Sequence, residues 1–149
     1  MAKMPGMDIP LDCNQGDNGL CWYPSSIDPV NFARSYAKTG HYDGIVAERE
    51  NYQVIGRSRA NKIILDGGVA TAVQFVPSTG KGDPKVVKAR MEVILAAGAI
   101  HTPQVLQLSG IGPKKLLDEA KIPVVIDLPG VGQKFTDQAY VPSVTFSCK

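Results

Sequence analysis

One stretch constrains this chain more than any other, the run from Val93 to Gly112. It opens with Val93-Ile94-Leu95, short, wholly apolar and partly β-branched, the pattern expected of a strand buried on both faces. Ala96-Ala97-Gly98 follows, three small residues at the strand's end, where something is expected to approach the backbone closely. Thr102-Pro103 then predicts a helix start, with Thr as N-cap and Pro at the first helical position. Val105, Leu106 and Leu108 supply an apolar face, and Ser109-Gly110-Ile111-Gly112 stops the helix. A strand that runs through small residues into a helix belongs to α/β folds, whose ligands sit beyond the carboxyl ends of the strands.

The flanking segments extend that reading. Asp28-Pro29 predicts a helix from Asp28 to about Lys38, with Gly40 as its stop. Arg34 on that helix reads as a surface residue packing its stem. Tyr52–Ile55, Ala60–Leu65 and Ala70–Val76 read as successive strands, the last two joined at Asp66-Gly67-Gly68, a strong hairpin signal. The run from Pro77 to Pro84 is rich in Ser, Thr, Gly, Lys and Asp and reads as a surface loop. Strand character resumes over Val86–Leu95. Beyond the central stretch come a short helix, Pro113–Ala120, a strand, Ile122–Ile126, a turn, Leu128–Gly132, and a final strand, Tyr140–Cys148.

Composition excludes several classes. A net charge of +2 over 149 residues points to no nucleic acid and no anionic membrane surface. No apolar run approaches the ~20 residues of a membrane helix. Met1-Ala2-Lys3-Met4-Pro5-Gly6 has no apolar core and is no secretory signal. The three cysteines, Cys13, Cys21 and Cys148, show no metal spacing. Cys13 and Cys21 lie in one Gly/Asn/Asp-rich loop and read as free thiols rather than a disulfide. Asp12–Asn18 has the Asp/Asn/Gly look of a calcium loop but no distal bidentate Glu follows, so no metal site is expected.

Gly98-Ala99, Thr102-Pro103, Val105-Leu106 and Ser109-Gly110-Ile111-Gly112 together resemble the second signature of the glucose–methanol–choline (GMC) oxidoreductases, FAD-dependent enzymes acting on alcohols and sugars. Trp22-Tyr23-Pro24 after its Asn/Gly-rich loop is similar to the family as well, so the resemblance spans nearly the whole chain. The Ser-Gly-Ile-Gly run argues against other two-domain flavoprotein classes that use a similar strand-to-small-residue junction. The implied fold class is α/β: residues 1–139 as part of an FAD-binding, Rossmann-like domain, and residues 140–149 as the start of an incomplete substrate-binding domain. The implied cofactor is FAD, and the implied partner is a small-molecule alcohol or sugar whose hydride passes to flavin while a His takes the hydroxyl proton.

The resemblance also implies site residues. A backbone amide and carbonyl two positions before a Lys-apolar pair bind adenine in the family; here that position is Ala60, before Lys62-Ile63. Ala97 and Gly98 are implied as the cofactor's other close neighbours. Gly130-Val131-Gly132-Gln133-Lys134-Phe135-Thr136-Asp137-Gln138 resembles the family's Gly-Val-Gly-x-Asn-Leu-x-Asp-His loop, with Lys134 in place of Asn and Gln138 in place of His. No Gly-x-Gly-x-x-Gly phosphate loop is present, and neither His41 nor His101 lies in the family's catalytic motif. No catalytic residue is therefore assigned, and the chain is expected to be an internal fragment or a truncated product. The competing expectation is a non-catalytic chain that binds no flavin and acts, if at all, as an interaction module.

Overall fold

The computed structural model describes residues 25–139. The readings of the Asp12–Asn18 loop, Trp22-Tyr23-Pro24, all three cysteines and the final strand lie outside the described residues. The chain divides into two compact units, with the boundary between Val54 and Ile55.

In the first unit, Asp28 builds a turn instead of a helix. Its carboxylate accepts from the backbone N–H of Val30 at 2.8 Å and of Asn31 at 3.1 Å. Asn31 Oδ1 accepts from Ala33 N–H at 2.8 Å, and Phe32 takes a left-handed φ of 57°. Short polar side chains that satisfy nearby backbone donors compete with the helix, and here they win. An isolated antiparallel bridge, Ile27 to Arg34, closes the loop. The donors from Asn31 and then Val30 hold the Asp28 carboxyl below its ordinary range. The stability linked to that shift is present above the unfolded pKa and is lost as pH falls through the lowered one. The helix, α1, comes later and is short, Ala37–His41, with Gly40 inside it and not after it. Thr39 Oγ1 caps it, accepting from Tyr36 N–H at 3.1 Å and donating to the Tyr36 carbonyl at 2.9 Å. Lys38 Nζ pairs with Asp43 at 2.6 Å, a hydrogen bond that raises the lysine's pKa. Tyr52–Ile55 forms no strand.

The second unit begins with a three-stranded antiparallel meander: β1, Ser58–Asp66; β2, Val69–Pro77; and β3, Lys85–Lys88, in the order β1-β2-β3. The hairpin stands where Asp66-Gly67-Gly68 predicts it. Gly67 and Gly68 have φ of 55° and 85°, and two positive φ values give the primed turn whose twist matches the strands. The register carries two irregularities. Ala60 faces Phe75 and Lys62 faces Gln74, leaving Asn61 as a bulge; Ile64 faces Ala72 and Leu65 faces Ala70, leaving Thr71. β3 is exposed throughout and bracketed by Lys85 and Lys88, charges that discourage pairing at a free edge.

The anticipated strand at Val93–Leu95 is not formed. No described strand pairs with it, and Ile94 is 79% exposed. A doubly buried strand is stable only between two others, and a run of apolar residues cannot supply them. The helix after it, α2, runs Gly98–Leu108, starting earlier than Thr102-Pro103 suggests. Pro103 lies inside it, where its missing N–H leaves only the Ala99 carbonyl without a donor. The stop holds: Ser109 N–H reaches back to Val105 and Leu106, and Gly110 follows with φ 84°.

Ile111-Gly112 then forms a two-residue strand, β4, followed by α3, Lys114–Glu119. Lys114 N–H donates to Asp127 Oδ1 at 3.0 Å. Of the strand anticipated at Ile122–Ile126 only the end pairs, as β5, Ile126–Asp127, parallel to β4. Buried apolar residues are Ile63, Ala72 and Val76 from the meander, Val105 from α2, Leu117 from α3, and Val131. α2 packs against β1 and β4.

The hairpin yields a test. An L-residue costs ~1–2 kcal/mol in the left-handed region, and Asn least of the larger residues. Gly68→Ala is expected to lower stability by about that amount and Gly67→Asn by clearly less, measured by urea unfolding followed by circular dichroism. Equal losses would contradict the turn assignment.

Candidate functional site

Residues of β1 and α2 line a cleft. Its β1 wall is Arg59, Ala60 and Asn61, the residues at the bulge. The facing wall is Ala97, just before α2, with His101, Gln104, Val105 and Leu108 along the helix. The cleft holds about 430 Å³, within the ~300–1,000 Å³ of small-molecule sites. A bulge twists a strand and re-aims its side chains, and bulges collect near binding sites for that reason.

Two of the three anticipated site residues, Ala60 and Ala97, thus line one cleft. Gly98 is the first residue of α2, and its φ of 83° accounts for the glycine. A Cβ built there meets nothing within 4 Å among the described residues, so backbone conformation is what demands glycine. Arg59, Asn61 and Gln104 add polar groups that the sequence reading passed over, and His101, set aside there as a catalytic residue, lies among them. The strand register, with its bulge, and the helix phase bring them together. Gln104 Oε1 lies 3.0 Å from His101 Nδ1. With that oxygen accepting, the neutral ring carries its proton on Nδ1 and offers Nε2 as an acceptor.

The far end of α2 is tied down by close backbone approach. Gln107 Nε2 donates to the Val131 carbonyl at 3.3 Å. A Cβ on Gly132 would lie 2.6 Å from that nitrogen, and one on Gly112 would lie 3.1 Å from Gln107 Cγ. Two glycines thus admit one glutamine side chain, which holds the turn at Val131 against the helix. At the next residue but one past that turn, Lys134 takes a left-handed φ of 53°. The asparagine of the family pattern would adopt that conformation at lower cost. Ser109 is the buried polar residue of this region, 8% exposed. Its hydroxyl donates to the Val105 carbonyl at 2.6 Å and accepts from Ile63 N–H at 2.8 Å.

Two glycines can be ranked from this geometry. Gly110 has φ 84°, and a Cβ there would lie 2.5 Å from the Pro123 carbonyl oxygen, whereas at Gly98 only the backbone resists. Gly98→Ala is expected to cost ~1–2 kcal/mol. Gly110→Ala is expected to cost clearly more, read as the shift in denaturation midpoint. The reverse order would mean that the Gly110–Pro123 approach is not rigid.

Comparison with known proteins places the chain in a family. The sequence pattern described as "GMC oxidoreductase" matches residues 4–140. Dehydrogenase xptC of Emericella nidulans is 44% identical over 140 residues, 93% of this chain and 22% of that protein. An FAD-dependent oxidoreductase from Chaetomium thermophilum superposes with a TM-score of 0.77 at 42% identity, covering 84% of this chain and 21% of that one. A fungal aryl-alcohol oxidase superposes with a TM-score of 0.75 at 40% identity, covering 85% and 21%. The chain spans about a fifth of the length of these relatives. Its mixed helix and strand structure matches part of the family's FAD-binding fold, and the family's cofactor is FAD. The chain belongs to the GMC oxidoreductase family.

Proposed function

We propose that this chain is part of an FAD-dependent oxidoreductase that oxidises the CH–OH group of an alcohol or sugar, and that its cleft between β1 and α2 takes the adenosine end of FAD. The observation that carries the reading is that Ala60 and Ala97, far apart in sequence, line the same cleft. The alcohol class draws support from the aryl-alcohol oxidase among the solved relatives. Residues 1–139 are then part of the FAD-binding region and residues 140–149 the first of the substrate region.

The donor set fits the cofactor's adenosine end. Ala60, Ala97, Val105 and Leu108 offer apolar surface for the flat faces of a base, and small side chains at Ala60 and Ala97 keep the walls apart. Arg59 and Asn61 bring donors for ribose or phosphate oxygens. Ala60 would serve adenine through its backbone, so its side chain is free to vary. FAD, when bound, supplies the hydride acceptor. The work of this chain is to bind and orient; His101, on the adenosine side, takes no part as base, and no alcohol turnover is expected of the 149-residue chain alone.

Titration of the chain with FAD, followed by flavin fluorescence, tests the reading. Ala60→Val suits a strand and should leave affinity unchanged or slightly better. Ala60→Pro removes the N–H. A buried group left without its hydrogen bond costs ~1–3 kcal/mol, so affinity should fall roughly ten- to a hundredfold. Circular dichroism on both variants separates this from loss of the strand. Equal affinity in the two folded variants defeats the Ala60 assignment. A parent chain that takes up no flavin favours the non-binding alternative.

A further inference from the structure

Among the described residues β1 is an edge strand paired with β2 alone, so backbone N–H groups on its other side point away from the sheet. One of these, on Ile63, is buried and satisfied by the Ser109 hydroxyl at 2.8 Å, across 46 residues of sequence. The same hydroxyl donates its proton to the Val105 carbonyl at 2.6 Å. Ser109 therefore spends its donor on α2 and its acceptor capacity on β1, and the two bonds orient each other. Val105 is itself part of the cleft wall, and Ile63 lies three residues past Ala60 on the other wall. One hydroxyl thus joins both walls next to the cleft.

We infer that Ser109 is a positioning residue: its hydroxyl locks β1 to α2 and so sets the spacing of the cleft in which the adenosine end of FAD is held. The cofactor half of this inference rests on the reading of the cleft given above; the lock itself does not. A serine near a helix end commonly back-bonds to its own helix, and that alone would stabilise nothing beyond the helix. What sets Ser109 apart is the second bond, to a strand edge that among the described residues has no other acceptor there. Removing the hydroxyl leaves the Ile63 N–H buried and unpaired, so the strand must shift to rewet it.

The test compares the parent chain, Ser109→Ala and Ser109→Thr by amide hydrogen exchange at Ile63 and by FAD titration. In Ser109→Ala, Ile63 exchange is expected to rise about tenfold while amides of the β1–β2 ladder keep their protection, and FAD affinity is expected to fall about tenfold. Ser109→Thr, which keeps the hydroxyl, is expected to restore both. Should Ser109→Ala fail to fold, Ser109→Cys, with a weaker hydrogen-bonding group of similar size, is read in the same two assays. Unchanged Ile63 exchange in a folded variant overturns the lock. Faster Ile63 exchange with unchanged FAD affinity overturns the positioning role, as does a folded Thr variant that restores neither. A parent chain that binds no FAD rejects the cleft reading and the cofactor half with it, and the exchange data still decide the lock.

Discussion

A buried N–H on a strand edge must find an acceptor, and the second unit of this chain depends on how β1 does so at Ile63. β2 satisfies one side of β1. On the other side Ser109 accepts from Ile63 at a position buried on both partners. Ile63 and Val105 are both among the few buried apolar residues, so the polar bond and the apolar contact lie at the same junction. Burying that N–H without the serine would cost about what the neighbouring apolar burial contributes. α2 packs on the meander at that junction, with the cleft beside it.

The approach of backbones fixes the rest. Past Ser109 the chain must turn, and Gly110 does so where a Cβ would lie 2.5 Å from the Pro123 carbonyl oxygen. Gly110's own carbonyl accepts from Val125 and Ile126, and Gly112's from Leu128. This places β5 beside β4 and leads the chain to Val131, where Gln107 takes hold of it. The glycines of the Ser-Gly-Ile-Gly run therefore serve two separate constraints: Gly110 a left-handed turn with no room for a side chain, and Gly112 clearance for Gln107. Sequence reading treats both merely as a helix stop, because nothing local announces that a distant carbonyl or amide will occupy the space.

How far the sequence was legible follows from this difference between local and distant causes. The Asp66-Gly67-Gly68 hairpin and its two strands stand as expected, since two positive φ values and alternating side chains are decided within a few residues. The end of α2 was legible for the same reason. Asp28-Pro29 misled because an Asp before Pro also starts a turn, and Asn31 supplied a second side chain to stabilise it. Thr102-Pro103 misled because a helix can open without a side-chain cap when a glycine turns the chain into it. At the site, Ala60 and Ala97 were reached through family resemblance. Arg59 and Asn61 were not, because the bulge that brings Asn61 into the cleft wall has no signature in composition.

Val93–Leu95 is the instructive failure, since its pattern is right and its structure is absent. Apolar character reports what a segment needs, not whether the need is met. Among the described residues Met91 is 96%, Ile94 79% and Ile100 71% exposed, all at or near the entry to α2. These side chains carry an apolar surface with no described partner, beside the cleft that Ala97 lines. The site and the unmet need therefore share a boundary. Ser109 ties β1 to α2 beside the cleft, whereas among the described residues no comparable bond holds the segment leading into Ala97. On the proposed reading, adenine meets a pre-set backbone at Ala60, and the small residues Ala96-Ala97-Gly98 are what adjust to the rest of the cofactor.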